Sequence, residues 1–340
     1  MAPPLVLSLG DPSGIGPELI AAAWAGREAC GLPPFFVAGG AGLLAAAARH
    51  AGIDVPIVCI SDAGDAADAF NEGLPVLPLA SHHDVKWQPG KPFTEGAALA
   101  LASLEQACGL ALSGAAAALV TGPVAKHALA GIGFGHPGQT EYLAHACGIA
   151  PQDAVMMLAG PTLRTIPLTV HCPLAEVPRL LTAELIHRRT AIAARALTRD
   201  FGIDSPRIAL AGLNPHAGEG GKFGDEEKRI IAPAIARLRA EGFDVSGPHP
   251  ADALFAARQR ASYDVAVCMY HDQALIPLKA LDFDAGVNVT LGLPIIRTSA
   301  DHGTAFGIAG KGLADAGATI AAIRMAGECA ARRLAEQKDL

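Results

Sequence analysis

Three histidines stand in three separate loop-like phrases: Thr169-Val170-His171-Cys172-Pro173, Asn214-Pro215-His216-Ala217-Gly218-Glu219-Gly220-Gly221, and Tyr270-His271-Asp272-Gln273. A catalytic metal site wants three protein ligands and one position left open for water or substrate. His171, His216 and His271, as neutral imidazoles, could supply that set. Pro215, Gly218, Gly220 and Gly221 suit an irregular backbone around His216 and suit a helix poorly. His271 follows the apolar run Val265-Ala266-Val267-Cys268-Met269, which places it at the end of a buried strand. In open α/β sheets that is where ligands bind. No local spacing rule ties the three together. From pattern alone, the competing reading of histidines satisfied in loops or core stays open.

Other polar chemistry gathers in the C-terminal third. Lys279, Asn288 and Arg297 surround an apolar strand and the loop after it. Lys and Arg could hold a phosphate or carboxylate, Arg as a bidentate clamp, with Asn fixing orientation. Ordinary surface cations would look the same in sequence. Near the N-terminus, Gly10 to Glu18 joins the first strand to a helix. Pro17 suits the first helical position there, and Glu18 complements the positive helix end. Gly40-Ala41-Gly42-Leu43-Leu44-Ala45 formally fits G-x-G-x-x-A, a weak match in a Gly- and Ala-rich chain. Gly220-Gly221-Lys222-Phe223 is not a P-loop, because Phe replaces Ser/Thr. No G-x-S-x-G elbow anchors a serine hydrolase.

The elements that must position these residues follow from periodicity. Strands are expected at Leu5–Leu9, Phe35–Ala38, Pro56–Ile60, Ala117–Thr121, Ala154–Leu158, Thr165–Val170, Ile208–Leu213, Asp264–Met269 and Val287–Leu291. Helices are expected at Glu18–Ala25, Gly42–His50, Thr94–Leu112, Glu176–Thr198, Asp225–Ala240, Ala251–Arg258 and Ala314–Ala335. Continuous apolar strands alternating with helices indicate a mainly parallel sheet covered on both faces. The 340 residues allow two domains, and 51% hydrophobic against 17% charged residues supply a sizeable core. A net charge of −7, with no basic patch interleaved with aromatics, argues against nucleic-acid binding. Seven scattered cysteines without a Cys-x-x-Cys pair read as free thiols in a reducing compartment. With no signal-peptide pattern and no long apolar span, a cytoplasmic protein off the membrane is expected.

Two phrases resemble the isocitrate/isopropylmalate dehydrogenase superfamily. Gly10 to Glu18 is similar to its N-terminal Gly-Asp-Gly-Ile-Gly-Pro-Glu phrase with two residues inserted. Asp301-His302-Gly303-Thr304-Ala305, with Ile308-Ala309-Gly310-Lys311-Gly312, is similar to its cofactor-adenosine loop. The resemblance narrows across nearly the whole chain. Thr121–Lys126, Asn214–Glu219, Gly247–Asp252, Tyr270–Gln273 and Asn288–Pro294 follow the pattern of the 4-hydroxythreonine-4-phosphate dehydrogenase family. One departure is visible: where that family carries Gly-His-Thr-Glu, this chain reads Gly138-Gln139-Thr140-Glu141. Gln donates and accepts hydrogen bonds but carries no proton in the physiological range.

The resemblance implies a two-lobed α/β/α fold of the isocitrate/isopropylmalate dehydrogenase type, mainly parallel and not a standard Rossmann fold. The expected lobes are 1–125 plus 280–340 on the cofactor side, and 126–279 for metal, substrate and dimerisation. It implies metal ligands His171, His216 and His271, and substrate contacts from Gln139, Thr140, Lys279, Asn288 and Arg297. Asp301, His302, Gly303, Thr304, Ala305 and Gly310 are implied for the cofactor, NAD or NADP. Asp272 and Asp252 are candidates for orienting imidazoles or for general base work. Zinc suits His ligands, with magnesium, cobalt or manganese also admissible. The implied reaction is oxidation of 4-hydroxy-L-threonine 4-phosphate and loss of carbon dioxide, in vitamin B6 biosynthesis. A homodimer is implied, with the active site at its interface and one histidine supplied by the neighbour. Alternatives are a related decarboxylating dehydrogenase for another phosphorylated hydroxy acid or a dihydrodiol carboxylate, and, from another class, an acyl-phosphate transferase.

Overall fold

The computed structural model describes residues 3–82 and 85–338. Its strands, in chain order, are β1 (Leu5–Ser8), β2 (Phe35–Ala38), β3 (Ile57–Cys59), β4 (Leu74–Leu77), β5 (Leu119–Thr121), β6 (Val155–Ala159), β7 (Arg164–Pro167), β8 (Ile208–Ala211), β9 (Val245–His249), β10 (Val265–Cys268), β11 (Val287–Leu291) and β12 (Arg297–Ala300). The chain forms two compact units, Met1–Pro151 with Leu293–Leu340, and Gln152–Gly292. The expected α/β class, with a mainly parallel sheet, is what the strands form.

In the first unit the order is β3-β4-β2-β1-β5-β12, and every pairing is parallel. This is not the 3-2-1-4-5-6 order of a dinucleotide fold. β1, β2, β4 and β5 are buried along their whole length, which is why they read as continuous apolar runs. The helix Thr94–Leu112 packs on β1 and β5. Its buried Ser103 donates to Ala38 O at 2.6 Å and accepts from Leu9 N at 2.8 Å. That one hydroxyl fastens the carboxyl ends of β1 and β2 beneath the loops that follow them.

In the second unit the order is β11-β6-β7-β10-β8-β9. β11, β6 and β7 are antiparallel neighbours, whereas β7, β10, β8 and β9 run parallel. The helix Ala183–Phe201 buries Ile186, Thr190, Ala193, Ala194 and Leu197, a stripe at three- and four-residue spacing. Thr182 caps its start by accepting from Leu185 N, and Gly202, at φ 65°, ends it.

Several expectations are corrected. The single helix expected over Glu176–Thr198 is broken at Leu181, whose extended backbone (ψ 122°) lets Thr182 start a new helix. The helix expected over Asp225–Ala240 opens with a π-helical turn, Glu227–Ile231. β4, β9 and β12 carry weak strand signals: Pro75 and Pro248 interrupt two of them, and β12 is a polar sequence buried almost throughout. The unit boundaries fall at 151 and 293, not near 125 and 280. Helix Lys126–Gly131 packs on Thr94–Leu112, keeping that segment in the first unit, while β11 pairs with β6 over its full length in the second. Among the described residues no helix is long and apolar enough to cross a membrane.

Candidate active site

β7, β10 and β8 are adjacent parallel strands, and His171, His271 and His216 follow their carboxyl ends. Leu168 N donates to Cys268 O and Thr169 Oγ1 to Met269 O, both at 2.8 Å. The chain leaving β7 therefore stays fastened to the chain leaving β10 until just before His171. As a result the rings of His171 and His271 lie 5.9 Å apart between centroids, at 42° between planes. Two imidazoles sharing one tetrahedral ion, with bonds of about 2.1 Å, place their centroids roughly 5 Å apart. The observed separation is within about 1 Å of that spacing. Both rings line a cavity of about 320 Å³ with Thr169, Cys172, Leu174, Val177, Tyr270 and Asp272 among its walls. Asp272 Oδ1 stands 2.7 Å from His271 Nδ1. That carboxylate fixes the proton on Nδ1 and leaves the Nε2 lone pair for a ligand.

The His216 side is held by different means. Buried Gln273 accepts from Met269 N and donates to Gly212 O, each at 2.7 Å, which ties the exit of β10 to the exit of β8. The chain then enters six consecutive residues at positive φ: His216 (52°), Ala217 (50°), Gly218 (75°), Glu219 (41°), Gly220 (70°) and Gly221 (102°). For a residue with a side chain this costs roughly 1–2 kcal/mol each. His171 is also left-handed, at φ 49°. Such strain persists only where the surroundings over-determine the backbone. His216 packs beside Phe223, 6.1 Å between ring centroids, and is not part of the His171–His271 pair. Among the described residues, no three His, Cys, Asp or Glu side chains stand close enough to hold a metal ion. Asp252 is exposed in the first turn of the short helix Ala251–Leu254 that follows β9.

Two of the expected substrate residues belong to this same unit. Lys279 lies in the helix His271–Asp282, its Nζ 6.0 Å from the Phe283 ring. Asn288 lies in β11, and its Oδ1 is buried without a hydrogen-bond partner, an acceptor still to be satisfied. In the first unit, Gln139 and Thr140 open the helix Gln139–Ala146, whose first turn has no side-chain cap. Gln139 Nε2 donates to Gly122 O at 3.0 Å, which fixes the amide orientation and leaves Oε1 buried and unpartnered. Arg297 is buried in β12, with Nε and Nη2 donating to Thr121 Oγ1 at 3.1 and 2.7 Å. Burial pushes the guanidinium down to about 10, and Glu141 opposes the shift, so it stays charged at neutral pH.

In the first unit the Gly10–Glu18 phrase meets the expected cofactor loop. Ile15 N donates to Thr304 O at 3.0 Å, and a β-carbon on Gly14 would stand 2.7 Å from that oxygen. Gly310 N donates to Glu18 Oε2 at 3.2 Å, and His50 Nε2 lies 2.6 Å from Gly310 O. Burial raises the Glu18 carboxyl above its ordinary value, with Gly310 N–H and His50 opposing. Glu18 Oε1 and His302 Nε2 are buried without partners, polar atoms that a ligand on this loop could satisfy. Asp301 and Gly303 complete the loop, and Ala305 is left-handed at φ 46°. Gly40, by contrast, is simply the left-handed N-cap of the helix Ala41–His50.

Sequence reasoning missed Gln273, Thr121, Glu227 and Asn214 as builders of these sites. Thr121, Asn214 and Gln273 fall inside family-like phrases but carry no signal of role in sequence. Glu227 looked like an ordinary first-turn acid of a helix.

The chain matches the family model described as pyridoxal phosphate biosynthetic protein PdxA over residues 32–326. It is 61% identical over 330 residues to the 4-hydroxythreonine-4-phosphate dehydrogenase of Erythrobacter litoralis, covering 97% of each chain. Its identity to the protein of that name from Zymomonas mobilis is 52%, covering 98% of this chain and 97% of the other. The crystal structure of a 4-hydroxythreonine-4-phosphate dehydrogenase from Klebsiella pneumoniae superposes with a TM-score of 0.86 at 40% identity, over 97% of this chain and 98% of that one. A terephthalate 1,2-cis-dihydrodiol dehydrogenase from Burkholderia xenovorans gives 0.67 at 30% identity, over 96% and 98%.

Proposed function

The chain belongs to the PdxA family of pyridoxal phosphate biosynthetic proteins, and from that membership we propose that it is a 4-hydroxythreonine-4-phosphate dehydrogenase dependent on NAD and a divalent metal. It would oxidise 4-hydroxy-L-threonine 4-phosphate and decarboxylate the product to 3-amino-2-oxopropyl phosphate. The observation that carries this reading is the exit of His171, His216 and His271 from the carboxyl ends of three adjacent parallel strands. The three imidazoles would hold the metal, the set being completed in a homodimer, with one histidine from the neighbouring protomer. Zinc suits the donors best, and cobalt, manganese and magnesium fit a site with oxygen ligands from substrate. When bound, the cation supplies Lewis-acid stabilisation of negative charge developing on substrate oxygen. NAD supplies a hydride acceptor, and NADP is the other candidate.

The remaining roles belong to side chains. Asp272 orients His271 through Nδ1. Asp252 is the candidate base for the substrate hydroxyl proton. Lys279 and Arg297 neutralise the substrate's anionic groups, and Thr140 and Asn288 add hydrogen bonds. Gln139, with its amide nitrogen committed to Gly122 O, offers an acceptor to a substrate donor. The loop Asp301–Ala305 with Gly310 holds the cofactor's adenosine half against Gly14 and Glu18.

NADH formation by purified protein with 4-hydroxy-L-threonine 4-phosphate, NAD and added divalent metal tests the proposal. Chelator-sensitive turnover is expected, and no turnover with metal bound would overturn the substrate. A second reading, oxidation of a dihydrodiol carboxylate or another phosphorylated hydroxy acid, is favoured by Gln139 and by the likeness to the terephthalate dihydrodiol enzyme. Turnover of those acids in the same assay, without turnover of the threonine phosphate, would establish it.

A further inference from the structure

We infer that Glu227 is a positioning residue for His216, acting through Asn214 on the left-handed turn that carries the imidazole. The inference rests on the reading of His216 as a metal ligand. Glu227 is only 5% exposed. A carboxylate that deep needs hydrogen bonds to offset its lost hydration. Oε1 accepts from Asn214 N at 2.8 Å and Oε2 from Asn214 Nδ2 at 3.0 Å, so both oxygens grip one residue, two positions before His216. The same Nδ2 also donates to Glu226 Oε2 at 2.8 Å, which fixes the amide face.

The carboxylate also packs under the turn itself. A β-carbon on Gly218 would lie 2.6 Å from Glu227 Oε2, and one on Gly212 would lie 3.2 Å from Oε1. Glu227 therefore touches the chain before the left-handed run and within it. Ala217 N donates to Asn214 O at 3.1 Å, so the residue that Glu227 grips is also the anchor of the turn. Glu227 heads the π-helical turn Glu227–Ile231, a widened turn of the kind found often at functional sites. With the clamp gone, His216, Ala217 and Glu219 are free to return to right-handed backbone, and the His216 ring leaves its place.

The test is a cobalt(II) titration of metal-free wild type, Glu227→Gln, Asn214→Ala and His216→Ala, read by the ligand-field absorption, with thermal melting of each apoprotein. Gln at 227 keeps the shape but turns an amide donor toward the Asn214 amide. Asn214→Ala cuts the clamp from the other side and serves if Glu227→Gln does not fold. Both clamp variants are expected to bind cobalt roughly 10- to 100-fold more weakly, with an altered absorption band. Wild-type affinity and spectrum in both, whatever happens to melting, would overturn the clamp while a weakened His216→Ala upheld the metal reading. Equal cobalt binding by wild type and His216→Ala would overturn the metal reading, and this inference with it.

Discussion

Gly14→Ala separates a cofactor site built on the Asp301–Gly310 loop from one built on the formal G-x-G-x-x-A at Gly40. The new β-carbon would stand 2.7 Å from Thr304 O, 3.1 Å from Thr304 Cβ and 3.2 Å from Thr304 Cα. Gly14 has no left-handed backbone, so space alone decides the outcome. Ordinary carbon contacts sit near about 3.5 Å, so Thr304 must withdraw by roughly 0.8 Å. Overpacking of this kind costs about 1–3 kcal/mol, and the Ile15 N to Thr304 O bond weakens with it. If the loop holds the adenosine half of NAD, that cost appears as weaker cofactor binding, roughly 5- to 150-fold in KM for NAD. Gly42→Ala is the control. No atom lies within 4 Å of its added β-carbon, and alanine suits the interior of Ala41–His50 by about 0.5–1 kcal/mol. A pyrophosphate turn at Gly40–Gly42 would instead be blocked by that methyl. Steady-state kinetics with NAD varied, alongside melting curves, decide the matter. An unchanged KM for NAD in Gly14→Ala, or a raised one in Gly42→Ala, would refute the placement.

His271→Ala should lose metal and activity while keeping the fold, and an active, metal-replete variant by elemental analysis would sink the triad. Arg297→Lys keeps the charge but loses the fork held on Thr121, so KM for the phosphorylated substrate should rise about tenfold or more. An unchanged KM removes Arg297 from substrate binding. Gln139→His restores a titratable ring at the family position, so kcat/KM should gain a dependence on pH near about 6.5. Identical profiles for the two proteins would show that this side chain takes no part. For Asp264, burial raises the carboxyl, but the side-chain and backbone N–H groups of Arg207 outweigh it and hold the group below its ordinary value. The folded state therefore favours the ionised form: its stabilisation is present above about pH 4 and is lost as pH falls through the lower folded value. Urea midpoints between pH 6 and pH 3 should fall less in Asp264→Asn than in wild type, and equal slopes would contradict the pairing.

The parts of the fold that were legible are those where burial dictates composition. β1, β2, β5 and β10 are buried on both faces and read as apolar runs, and Pro17 marked the start of its helix. β12 was not legible because its buried residues are Arg297, Thr298 and Ser299, satisfied by specific partners such as Thr121 and Ala322 O. The helix His271–Asp282 was hidden by Pro277 in its interior. Neighbourhood among the histidines was illegible for a topological reason. β10 inserts between β7 and β8 although it comes after both in the chain. No spacing in sequence encodes that order, so only the long phrases shared with relatives could tie the three together.

Strain marks the same places. Among the described residues, the left-handed ones with side chains are His82, His171, His216, Ala217, Glu219 and Ala305, and all but His82 lie in the histidine loops or the cofactor loop. At roughly 1–2 kcal/mol each, those five cost about 5–10 kcal/mol. That is comparable with the whole net stability of an ordinary domain, about 5–15 kcal/mol. A fold can carry such a cost only if the loops are held from beneath, and the holders are visible: Thr169 and Gln273 across strand ends, Glu227 under Asn214, Glu18 on Gly310. Each is a buried or part-buried polar group whose partner is backbone or a side chain within its own unit. Propensity and hydrophobic pattern cannot predict these loops, because both describe what a chain prefers locally. Here the local preference is overruled, residue by residue, by the hydrogen bonds of groups that sequence reading takes for ordinary polar residues.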